Sequence, residues 1–143
     1  MSKLIKKCHN VEDFRNLARK RLPGPIFHYI DGAAEDEVTY RRNTEAFNDY
    51  DLVPNVLAGV EDIDMSVDVM GFKLDLPIFC SPTALQRLFH HEGERAVALA
   101  AKKYNTLFGI SSLTTTSLKE IDELVDSPKT VSYTHLTLPT IMP

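Results

Sequence analysis

Two short, mostly apolar runs on either side of a helical stretch constrain this chain more than any other feature. Residues 76–80 and 106–110 have the composition of strands that are buried on both faces of a parallel sheet. Between them, residues 92–104 are rich in alanine and other good helix formers. Ser117 and Glu120 then have the spacing of a capping box at the start of another helix. The order strand, helix, strand, helix predicts a parallel α/β fold.

The residues before this alternation predict local helices and a hairpin. Asn10 is a favourable N-cap, and the carboxylates of Glu35, Asp36 and Glu37 suit the positive N-terminus of a later helix. Side chains alternate in polarity on both sides of Gly71, as in a tight hairpin. Helices are therefore expected over residues 11–20, 25–32 and 35–48, an extended connection over residues 52–60, and a hairpin over residues 65–75.

Composition excludes several classes of protein. The 143 residues carry a net charge of -4 without a long basic run, which argues against a nucleic-acid binder. Cys8 and Cys80 lie far apart without metal-ligand spacing, so we expect two reduced thiols. The N-terminus lacks the apolar core of a signal peptide, and no run of about 18 apolar residues exists. We expect a cytoplasmic protein, with peripheral contact at the inner face of the cell membrane left open.

The last segment of the sequence differs from the rest. Residues 131–143 contain no charged residue, and threonine recurs at every third position from Thr134 to Thr140. The segment resembles a translated sequencing-adapter read, so we expect residues 1–130 to be the genuine sequence and residues 131–143 a non-native tail. The alternative is a native apolar strand followed by a loop.

Small and polar residues follow each predicted strand of the α/β region. Pro82, Thr83 and Ala84 come directly after the first strand, and Ser111 follows the second. In parallel α/β folds, function is concentrated in loops at the carboxyl ends of strands. Thr83 and Ala84 could present backbone N–H groups to a flat ring, although a plain strand-to-helix turn would have the same residues. Ser111 could donate to a ring carbonyl or satisfy its own backbone.

Three segments of the chain, in the right order, resemble one enzyme family. The first, residues 22–36, reads LPGPIFHYIDGAAED. The second reads SPTALQ at residues 81–86, followed by HHEGE at residues 90–94. The third is the next loop, which begins SSL at residues 111–113. These motifs resemble those of the FMN-dependent α-hydroxy-acid dehydrogenases and oxidases, which include L-lactate dehydrogenases, glycolate oxidases and mandelate dehydrogenases. The resemblance covers roughly residues 10–130. It implies the N-terminal portion of a TIM (β/α)8 barrel: the preceding helices, a β-hairpin and the first two βα units.

The resemblance also implies roles for individual residues. Pro82, Thr83 and Ala84 would line one edge of the FMN ring, with the Ala84 N–H directed at the hydride-accepting nitrogen. Ser111 would contact the same ring. Tyr29 would donate to the substrate carboxylate, whereas packing is the alternative role for a phenol on an apolar helix face. Leu113 lies where many glycolate oxidases have tryptophan, which favours a lactate-like substrate.

The residues that would complete such an enzyme are not in this chain. The family's catalytic His, its partner Asp, a substrate-binding Arg and a flavin-contacting Lys all lie on later parts of the barrel. We therefore expect an inactive fragment whose full-length parent oxidises an L-2-hydroxy acid and passes electrons to a quinone, a cytochrome or oxygen. The parent is expected to form a homo-oligomer. No metal site is expected, because the adjacent His90 and His91 cannot place both rings on one helix face.

Two other functions stay open on the sequence. A different FMN-dependent barrel enzyme, for example an isomerase, would keep a loop like residues 82–84 without needing the block at residues 22–36. A non-enzymatic helical interaction module is the other alternative. It would require residues 131–143 to be native and a partner to cover the open strand edge.

Overall fold

The computed structural model describes residues 4–132 of a mixed helix and strand chain. The chain divides into two units, residues 1–59 and residues 60–143, and each unit is described by itself. The first is helical, and the second holds all the strands among the described residues.

Two capped helices open the first unit after a short 3-10 turn at Ile5–Lys7. Helix α1 (Val11–Arg21) begins where the Asn10 side chain accepts a hydrogen bond from the Asp13 amide at 2.8 Å. Helix α2 (Gly24–Asp31) begins after Pro23, with a second proline in its first turn. Both predicted helices are confirmed to within one residue at each end.

The third helix begins later than predicted. Helix α3 spans Val38–Glu45 and continues into a 3-10 turn at Ala46–Asp49. The expected start at Glu35 is wrong, because Glu35 and Glu37 have positive φ angles of 49° and 55°, outside the helical region. The Glu37 carboxylate instead accepts a hydrogen bond from the Ala33 N–H at 3.1 Å. Glu37 thus stabilises the turn between α2 and α3.

A hairpin lies near the start of the second unit, as predicted. Strand β1 (Val67–Val69) pairs antiparallel with β2 (Phe72–Leu74). Met70 and Gly71 between them both have positive φ, at 51° and 82°, as a two-residue hairpin turn of this kind requires. Residues 52–60, which come before it, contain neither helix nor strand, again as predicted.

The α/β alternation of the second unit is confirmed from its first helix onwards. Strand β3 (Phe108–Ser111) pairs in parallel with β4 (Lys129–Ser132), and their register sets Phe108 opposite Lys129. Helices α4 (Glu94–Lys103) and α5 (Leu118–Leu124) lie before and after β3 in the chain. The Ser117 side chain caps α5 by accepting from the Glu120 amide at 3.1 Å. One apolar cluster joins helices and sheet: Ala98, Ala101, Phe108, Ile110, Ile121 and Val125.

The first predicted strand of the α/β region is reduced to a single bridge. Cys80 pairs in parallel with Phe108, whereas Ile78 and Phe79 are 69% and 50% exposed. The expectation of a strand buried on both faces is therefore wrong for residues 76–80. Among residues 4–132, β3 is the one strand that neighbours this segment. The Thr106 hydroxyl, rather than a ladder amide, donates to the Ile78 carbonyl.

Strand β4 crosses the boundary that the sequence suggested. Val131 and Ser132 pair with Ile110 and Ser111. Residues 133–143, the remainder of the predicted tail, lie outside the described residues. No helix formed by residues 4–132 is long and apolar enough to cross a membrane.

Candidate functional site

The loop after the Cys80 bridge (residues 81–86, the first loop) lies directly against β3. A Cβ atom built on Gly109, within β3, would lie 2.8 Å from Pro82 Cδ and 3.0 Å from the Cys80 carbonyl oxygen. Real side chains do not approach so closely, so the first loop can rest on the strand only because residue 109 is glycine. Sequence reasoning missed Gly109, although a lone glycine inside a strand is a sign of close backbone approach.

The first loop leaves two amide groups without a partner among the described residues. The N–H groups of Thr83 and Ala84 donate to no acceptor within residues 4–132. The Thr83 carbonyl accepts from Gln86 Nε2 at 3.3 Å, and Leu85 turns the chain with a φ of 54°. Thr83 and Ala84 are partly exposed. Both N–H groups are therefore available as donors to a bound group.

The loop after β3 (residues 111–116, the second loop) is joined to the first. The Leu85 N–H donates to the Leu113 carbonyl at 3.1 Å. The Ser111 Oγ accepts from the Leu113 N–H at 3.1 Å, which is the local backbone bond that the sequence left open for this serine. The hydroxyl hydrogen is not used in that bond, so Ser111 keeps a donor. The structure thus brings Pro82, Thr83, Ala84 and Ser111 to one edge of the second unit.

A buried carboxylate that the sequence did not single out holds the second loop. Glu94, the first residue of α4, accepts hydrogen bonds from the Thr115 N–H at 2.8 Å, the Thr115 hydroxyl at 2.6 Å and the Thr116 hydroxyl at 3.0 Å. Burial alone would raise the pKa of Glu94. The hydrogen bonds from Thr115 and Thr116 outweigh burial and lower the pKa from 4.5 to about 2. Glu94 is therefore ionised at neutral pH.

The same network reaches Arg87, the residue that directly follows the first loop. The Arg87 N–H donates to Thr115 Oγ1 at 3.2 Å, so this hydroxyl serves Arg87 and Glu94 together. Gly93 makes the approach possible, because a Cβ there would lie 2.8 Å from Arg87 Cγ. The sequence signal was present in the HHEGE motif, whose second glutamate is Glu94.

Tyr29 belongs to the first unit. It lies on α2 and is 56% exposed, next to His28, whose ring meets the buried Phe27 ring edge to face at 5.7 Å between centroids. Two residues further on, Asp31 accepts from Arg15 Nε at 2.5 Å and from Arg15 Nη2 at 3.0 Å. This ion pair joins α1 to the end of the helix that carries Tyr29.

The histidine pair lies between the first loop and α4. The ring centroids of His90 and His91 are 4.4 Å apart, and His90 Nδ1 accepts from the Glu92 N–H at 3.2 Å. His91 Nε2 lies 3.3 Å from Glu92 Oε1. Within residues 4–132, no group of three or more His, Cys, Asp or Glu side chains could hold a metal ion.

Comparison with known proteins gives one consistent family. The family model described as FMN-dependent dehydrogenase matches residues 18–139. Glycolate oxidase 1 of Oryza sativa subsp. indica is 40% identical over 112 residues, which cover 78% of this chain and 30% of that protein. Glycolate oxidase of Spinacia oleracea is 38% identical over 112 residues, with the same coverage. The chain thus spans 30% of the length of these curated relatives.

Solved structures agree with the sequence relatives. A soluble mutant of the membrane-associated (S)-mandelate dehydrogenase from Pseudomonas putida superposes with a TM-score of 0.79 at 31% identity, over 85% of this chain and 35% of that one. A protein described as a lactate oxidase of Pediococcus acidilactici gives a TM-score of 0.80 at 28% identity, over 87% of this chain and 35% of that one. These neighbours are TIM-barrel FMN enzymes, and the helix and strand order found here is consistent with part of such a barrel.

Proposed function

Because the chain belongs to the FMN-dependent dehydrogenase family, we propose that the whole protein oxidises an L-2-hydroxy acid to the 2-oxo acid with FMN. The activity is that of a whole protein, since this chain spans 30% of the length of its curated relatives. Glycolate, lactate and mandelate, which occur in the names of the relatives and neighbours, are all 2-hydroxy acids. The same proposal assigns residues 1–130 to the N-terminal third of the barrel domain and residues 131–143 to a non-native tail.

The observation that carries the proposal is the pair of unpaired amides in the first loop. Thr83 and Ala84, which follow the Pro82 that lies against β3, offer N–H donors, and the Ser111 hydroxyl is a third donor. The edge of a flavin ring carries nitrogen and carbonyl acceptors, so this donor set fits FMN. When bound, FMN supplies the acceptor for the two electrons removed from the substrate. The Ala84 N–H would stabilise negative charge on the ring nitrogen, and Pro82 and Thr83 would line the ring edge.

Tyr29 and Leu113 are proposed to act on the substrate. The Tyr29 phenol would donate to the substrate carboxylate, and its exposure on α2 leaves the side chain accessible within the first unit. The half-exposed Leu113 side chain, in the second loop, is smaller than tryptophan and favours a lactate-like acid. Electrons would pass on to a quinone, a cytochrome or oxygen. The parent would be a cytoplasmic homo-oligomer, with peripheral contact at the inner membrane face a further part of the proposal.

The first experiment concerns the length of the gene. Amplification from source DNA across the codon of Thr130 should give a reading frame that continues for about 230 residues, the remainder of a barrel, with a late His and Arg. The purified product should show the absorption spectrum of bound oxidised flavin. Addition of L-lactate should reduce the flavin and bleach this spectrum, and glycolate and (S)-mandelate serve as comparison substrates. A protein of that length without bound flavin, or without reduction by any of the three acids, would contradict the proposal.

The 143-residue chain itself serves as a negative control for the whole protein. We expect that it neither binds FMN tightly nor turns over a 2-hydroxy acid, because later parts of the barrel would supply the remaining contacts. A fluorescence titration of FMN with the chain tests this. Saturable 1:1 binding with micromolar affinity would show that the expectation is wrong.

The substrate role of Tyr29 is tested in the whole protein with Tyr29→Phe. Loss of a hydrogen bond to a carboxylate should raise KM for the 2-hydroxy acid about tenfold, while FMN content stays unchanged. Tyr40→Phe on α3 is the matched control and should leave KM unaltered. Equal kinetics for both variants would remove Tyr29 from the substrate site.

A further inference from the structure

Glu94 is the most deeply buried charged group among the described residues. Its side chain is 0% exposed, and its hydrogen-bond donors are two hydroxyls and one amide of the second loop. The helix N-terminus at Gly93 also favours a negative charge here. A buried charge of this kind is weak evidence of a contribution to stability, since apolar replacements are often neutral. Its effect on the conformation of the loop is therefore the property to consider.

We propose that Glu94 is a positioning residue that fixes the second loop and, through Thr115 and Arg87, the first loop in the conformation that presents the flavin-binding amides. The role in flavin binding rests on the proposed function, whereas the hydrogen bonds that connect Glu94 to the two loops do not depend on it. Glu94 contacts neither the Ala84 amide nor Ser111 in the described contacts. It acts through the residues that it holds.

Other hydrogen bonds of the second loop run from the Ser112 N–H to the Ser132 carbonyl at 3.2 Å and from the Thr114 N–H to the Ser111 carbonyl at 3.1 Å, and neither of these two bonds involves Thr115. The second loop contains three consecutive threonines, and Thr114 Oγ1 donates to the Thr116 carbonyl at 2.9 Å within the same turn. Such hydroxyl-rich turns can form several alternative local bonds of similar energy. The Glu94 carboxylate selects one of these bonding arrangements, because it accepts hydrogen bonds from the Thr115 N–H and from the hydroxyls of Thr115 and Thr116 at the same time.

Two connections carry this constraint to the first loop. Thr115 Oγ1 accepts from the Arg87 N–H at one end, and the Leu113 carbonyl accepts from the Leu85 N–H at the other. The 3-10 turn Gln86–Leu88 is thereby tied to the second loop through its N-cap residue, Leu85, and its middle residue, Arg87. The unpaired Thr83 and Ala84 amides come immediately before this turn, so their direction depends on it.

The test measures amide hydrogen exchange by NMR in the 143-residue chain. In Glu94→Gln, one carboxylate acceptor becomes an amide donor, so amides at positions 85, 87, 113 and 115 should exchange about tenfold faster or more. The core amides of Ala98 and Ala101 on α4 should change much less. Glu120→Gln, which removes an exposed carboxylate paired with Arg95, is the control and should leave both sets unchanged.

A second pair of variants covers the case in which Glu94→Gln does not fold. Thr115→Val keeps the side-chain volume but removes the hydroxyl, and should accelerate the same loop amides. Thr115→Ser restores the hydroxyl and should return them to the rate of the unchanged chain. Equal acceleration of loop and core amides, or failure of serine to rescue, would overturn the positioning role and leave Glu94 as a general structural residue.

The FMN content of the whole protein separates this inference from the proposed function. If the whole protein binds FMN, Glu94→Gln should weaken binding about tenfold or more. If the unchanged protein binds no FMN while the exchange pattern holds, the proposed function fails and the loop coupling stands. If FMN binds equally well with and without Glu94, the positioning role is overturned and the proposed function is unaffected.

Discussion

Each of the two units of the chain, taken by itself, is stabilised by a different kind of interaction. Among residues 4–59, Phe27 is the one buried residue, and the Arg15–Asp31 ion pair links α1 to α2. The second unit has a continuous apolar cluster around Phe108 that joins two helices to a parallel sheet. Helices can therefore be specified by local caps and turns. The first and second loops, in contrast, depend on a core assembled from residues that are distant in sequence.

The largest effect should come from the core of the second unit. Phe108→Ala should reduce the free energy of unfolding by about 3–5 kcal/mol, because it leaves a cavity under both helices. Phe47→Ala, at a position that is 78% exposed in the first unit, should change it by less than about 0.5 kcal/mol. Urea unfolding followed by circular dichroism measures both. Losses of equal size would remove the contrast between the units.

Acid should act next, through Glu94. The pKa of Glu94 is about 2 in the folded chain, against an ordinary value of 4.5. The ionised carboxylate therefore stabilises the folded state fully above pH 4.5, and this stabilisation is lost as the pH falls towards 2. The loss should be on the order of 3 kcal/mol. Urea midpoints measured between pH 6 and pH 3 should fall less steeply in Glu94→Gln than in the unchanged chain. Parallel pH profiles would show that folding does not lower the pKa of Glu94.

The helix caps should have a similar effect in both units. Asn10→Ala and Ser117→Ala each remove a side-chain acceptor from a helix N-terminus, and each should cost about 1 kcal/mol. Asn10→Asp and Ser117→Asp preserve the acceptor and serve as controls. Circular dichroism at 222 nm during urea unfolding provides the measurement. A cost confined to Ser117→Ala would mean that capping also depends on the core.

The smallest effect is expected for the ion pair of the first unit. Arg15 donates to Asp31 at the surface, and this hydrogen bond lowers the pKa of Asp31 and raises that of Arg15. Arg15→Gln should lower Tm slightly at low ionic strength and have no effect in 1 M salt. Lys119→Gln, in an exposed pair with Glu123 on α5, is the comparison. A salt-independent loss for Arg15→Gln would indicate packing by the arginine stem.

Local signals in the sequence predicted most of the elements. Asn10, Gly71 and Ser117 lie where a cap or turn requires them, so α1, the hairpin and α5 were found from neighbouring residues alone. The start of α3 was not found, because Glu37 uses its carboxylate on the Ala33 amide of the preceding turn. That choice depends on a positive φ, which residue type does not specify.

The candidate site stays a prediction, and the sequence indicated the positions of its two loops but not the contacts between them. The rule that loops follow strand ends depends only on strand order, and it predicts Pro82 and Ser111 at one edge. Gly109 and Glu94 act on partners distant in sequence, Pro82 and Thr115, and such pairs cannot be read from a single chain. The exposure of Ile78 and Phe79 likewise depends on which strands neighbour residues 76–80, not on their own apolar character.

The contact between Pro82 and Gly109 also limits the order in which this site can evolve. A methyl group at position 109 meets Pro82 Cδ at 2.8 Å, so it is tolerated only after the loop has already moved. A change at position 82 has no such requirement, because glycine accepts whatever lies above it. The effect of a mutation at position 109 therefore depends on the conformation of the loop, whereas the effect of a mutation at position 82 does not depend on position 109. Strand β3 can gain a side chain at position 109 only in a descendant whose loop has changed first.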